Sequence, residues 1–160
     1  MTSSLTSQEV WAELGKQLFA VLGMVTAENQ SRTVGVVYVA RDHKLYVATG
    51  KETWKVRHVE NNPHVSVTVP IAKRIPMMPW IRIPAATITF SGEAAVRELS
   101  ELDEPLLQAL LRGLQELPQT HESMCIIEIE PKKEFITYGV GVSLMTMRNT
   151  QMARGRVPVA

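Results

Sequence analysis

Two periodicities alternate along the chain. After Thr6-Ser7-Gln8-Glu9, where a hydroxyl precedes a carboxylate by three residues as in a capping box, apolar residues recur at helical spacing. They are Val10, Leu14, Leu18 and Val21, with Trp11 and Leu22 beside them. This predicts a helix over 7–22. Gly23-Met24-Val25-Thr26 reads as extended, and Glu28-Asn29-Gln30-Ser31 as a polar turn. In TVGVVYVA, Thr33 to Ala40, both faces are apolar: Val34, Val36 and Tyr38 on one, Val37 and Val39 on the other. Such a strand is expected inside a sandwich, a barrel or a subunit interface. Arg41-Asp42-His43-Lys44 is a turn into a second strand, Leu45 to Ala48, which makes a hairpin.

Further along, Glu52 to Asn61 is polar with Trp54, Val56 and Val59, the pattern of one short half-buried helix, and Pro63 disfavours helix at Asn62. His64 to Val69 alternates, and Ala85 to Val96 is another strand with Ile88 and Phe90 inward. Between them, PIAKRIPMMPWIRIP (Pro70 to Pro84) fits neither a regular helix nor a central strand. A third helix follows Ser100, with Leu102, Leu106, Leu110 and Leu114 on its apolar side and Pro105 in its first turn. Met124 to Glu130 alternates, and Phe135 to Tyr138 extends that strand; the tail over 139–160 is mixed and basic. Six strands joined mostly by short antiparallel connections do not make a doubly wound α/β protein. They predict a β-barrel with peripheral helices.

Composition narrows this picture. The 160 residues suit a single domain over 1–160. Seventeen basic residues face 16 acidic ones, which gives no electrostatic case for nucleic acid. The longest apolar run, Leu18 to Val25, falls well short of the roughly 20 residues of a membrane span, and the polar N-terminus carries no secretory pattern. With Cys125 as the one cysteine, no intrachain disulfide is possible, which suits a reducing cytoplasm.

The chemistry concentrates in LYVATGKETWKVRHVENNPHVSVTV, Leu45 to Val69. A strand ends at Thr49, Gly50 allows a tight turn, and a helix begins near Thr53. A helix start offers open N–H groups and the positive end of the dipole. Thr49 and Thr53 add hydroxyls, Lys55 a full charge, and Lys51 or Arg57 a second one. Such a donor set suits a phosphate; the alternative is a solvated helix start.

This stretch resembles the flavin-binding split-barrel family that includes pyridoxamine phosphate oxidase. The family pattern is a strand, Thr, three residues, Ser-Arg-Lys, a helix, Asn-Pro and another strand. Here Thr49, Gly50-Lys51-Glu52, Thr53-Trp54-Lys55, the helix, Asn62-Pro63 and His64 to Val69 follow it without a gap. The resemblance implies an antiparallel split barrel binding FMN between the two protomers of a homodimer. It gives Thr49, Thr53 and Lys55 the phosphate and ribityl roles. Val36 and Val37 would present backbone to the flavin ring, and Thr87, five residues before Gly92, falls where the family has a flavin-contacting Gln. Trp54 stands where the family has Arg, so Lys51, Arg57 or a partner-chain arginine would have to substitute. Arg32 lies near another family phosphate arginine but is out of step by one position. The oxidase's C-terminal substrate signature is absent, so the resemblance does not extend to pyridoxamine phosphate oxidation.

It implies instead an FMN-dependent oxidoreductase with a small-molecule substrate or an electron donor such as a nicotinamide cofactor. The alternative is a module that stores or senses FMN, haem or a deazaflavin, with His58 or His64 as haem ligands. His43, His58, His64 and His121 lack metal-pair spacing. Cys125 reads as a buried, inert thiol. Tyr38 and Tyr138 are candidate acid–base groups. Met77, Met78 and Trp80 suggest a lid or wall over the flavin or substrate, against a packed crossover or a membrane-surface role. Arg148, Arg154 and Arg156 belong to a tail that is either solvated or folded across the partner, where it would supply a cation.

Overall fold

A computed structural model describes residues 5–112 and 121–160, and of residue 121 the backbone only. Eight strands form one antiparallel sheet: β1 (Phe19–Val25), β2 (Ser31–Val37), β3 (Val39–Arg41), β4 (Lys44–Gly50), β5 (His64–Ile71), β6 (Ala86–Glu98), β7 (Met124–Tyr138) and β8 (Arg154–Pro158). Their order is β2-β1-β5-β6-β7-β4-β3, with β8 also on β7. The two ends of this order, β2 and β3, are consecutive in the chain and joined through Tyr38. The sheet therefore curls into a split barrel, as expected. Its interior is filled by alternate residues, among them Leu22, Val67, Ile88, Ile127 and Leu45. Phe90 and Phe135 meet edge to face at 5.5 Å.

The first helix, α1 (Ser7–Lys16), starts on the predicted capping box: the Glu9 carboxylate accepts from the Thr6 N–H at 2.8 Å, and Thr6 Oγ1 accepts from the Glu9 N–H at 3.3 Å. It ends six residues before the expected limit of 22. From Phe19 onward burial alternates, with Ala20, Leu22 and Met24 inside, and β2 and β5 take the backbone hydrogen bonds of this stretch. Leu18, assigned to the helix's apolar face, is 71% exposed.

The expected continuous strand over Thr33 to Ala40 is two strands. Tyr38 sits between them, donating its amide to Leu18 O (2.9 Å) and its hydroxyl to Leu14 O (2.7 Å). Only one face is buried in the chain itself: Val36 points inward, whereas Val37 is 57% exposed. Asp42 and His43, both at positive φ (49° and 59°), form the tight turn of the β3–β4 hairpin.

Two further helices pack outside. α2 (Trp54–Asn61) buries Val56 and Val59. α3 (Glu104–Arg112) buries Leu106 and Leu110 against Tyr46, Met124 and Ile126. It begins at Glu104 rather than after Ser100, because Asp103 Oδ1 caps it, accepting from the Leu106 N–H at 3.0 Å and from Arg41 Nη1 at 2.6 Å. Leu114 lies outside the described residues. The tail keeps its arginines exposed but is not frayed throughout. Its β8 pairs with β7 from Glu134 to Tyr138, with Val157 buried.

Strand β7 bonds to β4 over its first half, to β8 over its last residues and to β6 along both. The change occurs at a bulge, where Phe90 faces Phe135 but Ser91 faces Lys132, with Lys133 at φ 65°. Next to it, a Cβ on Gly92 would lie 2.6 Å from the Glu130 carbonyl oxygen, whereas one on Gly15 in α1 would meet nothing within 4 Å. Gly92→Ala is therefore expected to destabilise the fold by about 1–3 kcal/mol through overpacking. Gly15→Ala is expected to stabilise it by about 0.5–1 kcal/mol through helix propensity. Urea unfolding of both variants checks the pair.

Candidate functional site

The turn from β4 into α2 gathers the predicted anion ligands. Thr49 is buried, and its hydroxyl lies 3.4 Å from that of Thr53. Thr53 occupies the N-cap position of α2 in extended conformation, yet its side chain does not cap the helix; its hydroxyl donates to Gly50 O at 2.9 Å. The helix start keeps its open N–H groups, the feature that attracts an anion. The Lys55 ammonium lies 5.8 Å from the Trp54 ring centroid and makes no ion pair among the described residues. Lys51 is different. Its ammonium pairs with Glu98 at 2.9 Å, and its amide bonds to Ser123 O. Arg57 donates to Glu52 O at 3.1 Å.

Arg32, out of step by one in the sequence, lies close by. With Thr33 it lines a recess of about 410 Å³ whose other wall is Trp54 and His58. No carboxylate pairs with Arg32 among the described residues. Linear spacing misses it because the β1–β2 pairing, which sets Arg32 opposite Met24, decides where it lies.

Val36 and Val37 lie on β2, which among the described residues pairs with β1 alone, so one edge of its backbone is open there. Thr87 belongs to a second region. It is on the outer face of β6, opposite Pro70 and Tyr138. It lines a recess of about 670 Å³ with Thr89, Ile136, Tyr138, Arg154 and Arg156. Arg156 pairs with Glu134, while Arg154 pairs with no carboxylate among the described residues. The alternation in ATITFSG marks Thr87 and Thr89 as one face, but that β8 completes the wall depends on its pairing with β7, a partner distant in sequence.

The two regions are far apart within one chain. Thr49 is opposite Cys125 and Thr87 opposite Tyr138, near the two ends of the 15-residue β7. At roughly 3.3 Å per residue, most of the strand's length separates them.

Residues 6–138 match the family model described as pyridoxamine 5'-phosphate oxidase. The chain belongs to the pyridoxamine 5'-phosphate oxidase family. The fold is shared with a proposed pyridoxamine 5'-phosphate oxidase from Listeria innocua (20% identity, 79% of this chain and 94% of that one, TM-score 0.59). It is shared with general stress protein 26 from Bacillus anthracis (20% identity, 81% and 92%, TM-score 0.58). The heme storage protein HutZ from Vibrio cholerae is also similar (15% identity, 84% and 96%, TM-score 0.58). No curated protein matches the chain in sequence.

Other candidate groups of this family member are structural. Tyr38 is buried, its phenol pushed up in pKa by desolvation and donating to Leu14 O, and it lines neither recess described above. Tyr138 lines the larger recess but donates to Met147 O at 3.0 Å. Among the described residues, no three His, Cys, Asp or Glu side chains cluster as metal ligands. Cys125 is fully buried, and burial raises its pKa, so it stays a thiol at neutral pH. Native protein is therefore expected to resist dithionitrobenzoate and to release its single thiol only on unfolding. Rapid labelling of the native state would show that Cys125 is accessible.

Proposed function

We propose that this protein binds FMN between the two copies of a homodimer and acts as an FMN-dependent oxidoreductase. The observation that carries this reading is the uncapped start of α2, with the Thr49 and Thr53 hydroxyls and two cations, Lys55 and Arg32, that make no ion pair among the described residues. That donor set fits a phosphate dianion, which needs hydrogen-bond donors and at least one cation. Arg32 offers the guanidinium lost where Trp54 replaces the family's arginine, and Lys51, held by Glu98, is the weakest of the proposed ligands.

The same geometry supports a homodimer if Thr49 and Thr87 hold one flavin. One chain cannot bring Thr87 to its own Thr49, whereas a partner's Thr87 face can meet it. The outer sheet face suits this: Phe19, Val37 and Ile136 are all more than 40% exposed there. A register row crosses it from Gly35 through Val21, Thr68, Thr89 and Ile136 to Arg156. The flavin, once bound, supplies the hydride or electron transfer. The protein's own residues then hold the phosphate, align the ring along the open edge of β2 at Val36 and Val37, and wall off water with the Thr87 face. A nicotinamide cofactor is the proposed electron donor, and a reducing cytoplasm the proposed compartment.

A second reading rests on His58, which lines the recess beside Arg32 and Trp54. The imidazole and the cation would suit haem and its propionates, and the similar HutZ is a haem storage protein. A deazaflavin would use the same phosphate donors as FMN.

The absorption spectrum of the purified protein separates a flavin band from a Soret band. For FMN, Lys55→Ala and Arg32→Ala are each expected to weaken FMN binding about 10- to 100-fold, the worth of a charge-assisted hydrogen bond. Riboflavin, which lacks the phosphate, should bind all variants alike. Thr87→Trp should block the other half of the site. Unfolding and refolding it together with Lys55→Ala should restore about one quarter of the wild-type sites, by random reassortment of a twofold dimer. No restoration would mean that each site lies within one chain.

A further inference from the structure

The segment over 72–85, between β5 and β6, lines neither of the two recesses described above. It contains neither helix nor strand. Two turns shape it, closed by Met78 N–H to Ile75 O and Ile81 N–H to Met78 O, both 3.1 Å. Pro76, Pro79 and Pro84 stiffen it, which lowers the entropy lost when it binds anything. At its tip Met77 is 84% exposed and Trp80 74%, with Met78 and Ile81 also exposed. Large apolar side chains grouped at a loop tip mark an interaction surface rather than ordinary scatter.

Charge identifies the occupant. Lys73 and Arg74 precede the apolar tip and Arg82 follows it. None of the three makes an ion pair among the described residues, and no acidic residue occurs from Asn61 to Gly92. A chain of net charge +1 thus carries a local excess of positive charge around an apolar tip. A second copy of the chain fits this poorly. Paired with its own copy, the tip would set three cations against the same three, and its five residues alone would bury far less than the roughly 800 Å² per partner of a stable interface. An anionic bilayer fits it in depth. The apolar tip enters the acyl boundary, Trp80 sits at the interfacial level that tryptophan prefers, and the cations meet the headgroup phosphates.

We propose that the 72–85 segment docks this protein peripherally on anionic phospholipid membranes. Met77, Trp80 and Ile81 insert, and Lys73, Arg74 and Arg82 supply the electrostatic attraction. Each cation is expected to contribute about fivefold in partitioning, and a dimer carrying two such loops would bind more tightly than one loop alone.

The test is cosedimentation of the full chain with vesicles of phosphatidylglycerol and phosphatidylcholine, against vesicles of phosphatidylcholine alone. Binding is expected to the anionic vesicles, with a blue shift of tryptophan emission that Trp80→Phe removes. At about 1 M salt, where the screening length is about 3 Å, the anionic preference should disappear. The double variant Met77→Ser/Trp80→Ser should lose vesicle binding, and the triple variant Lys73→Gln/Arg74→Gln/Arg82→Gln should lose the anionic preference. Both changes lie on an exposed loop and should leave the thermal midpoint in place. Absence of binding to anionic vesicles overturns the proposal, as does undiminished binding by the serine variant. A serine variant that dissociates into monomers, from a parent that ignores vesicles, would assign the tip to the dimer instead.

Discussion

The structure depends on how β7 satisfies its backbone. A buried strand must pair on both sides, because an unpaired buried amide costs free energy comparable to a lost hydrogen bond. No neighbour other than β6 runs the whole length of β7. The bulge opposite Phe90 and Ser91 resolves this: before it β7 bonds to β4, after it to β8. Gly92 is part of the same solution, since the backbones approach so closely there that a Cβ would strike the Glu130 carbonyl. The bend curls the sheet, and it also sends the β4–α2 turn and the β8 arginines to opposite ends. A division in the chemistry of the surface thus originates in a hydrogen-bonding constraint in the core.

The local structure of the β4–α2 turn follows from competition for few donors. Thr53 occupies the position where a hydroxyl ordinarily caps the helix. Its hydroxyl is drawn back to Gly50 O instead, so the helix dipole remains uncompensated at its positive end. No acidic side chain in the first turn of α2 offsets it, whereas α1 carries Glu9 in that place, with its carboxyl held low in pKa by hydrogen bonds to Thr6. The two helix starts differ accordingly. One is closed on itself; the other stays open beside Lys55.

Much of this was legible in the sequence where the signal is local. The hairpin turn, the alternation of β5 and β6, the capping box and the ungapped run from Thr49 through Lys55 to Pro63 all rest on neighbours within a few residues. The readings that failed required partners distant in sequence. Leu22 satisfies a helical period with Leu18 and an alternating one with Ala20 and Met24, and β2 and β5 decide between them by taking the hydrogen bonds. Tyr38 looks like the middle of a strand until its hydroxyl finds Leu14 O. The short β8 has too few residues to declare a period, and only β7 makes it a strand. Arg32 was placed by linear spacing, and the sheet moved it to face Trp54.

The substitution at Trp54 shows how one residue type can be exchanged without loss of the surrounding logic. An arginine there would bring charge and a rigid fork of donors. Tryptophan brings neither, yet its ring face lies under the Lys55 ammonium and beside His58, and its indole borders the recess that Arg32 enters. A cation held over an aromatic face is oriented without being neutralised, so its charge remains available in a way that an ion pair to a carboxylate would not allow. Lys51, fixed on Glu98, illustrates the opposite case four residues earlier in the chain. With no carboxylate in α2's first turn and the Trp54 ring under its ammonium, Lys55 keeps its charge unpaired among the described residues.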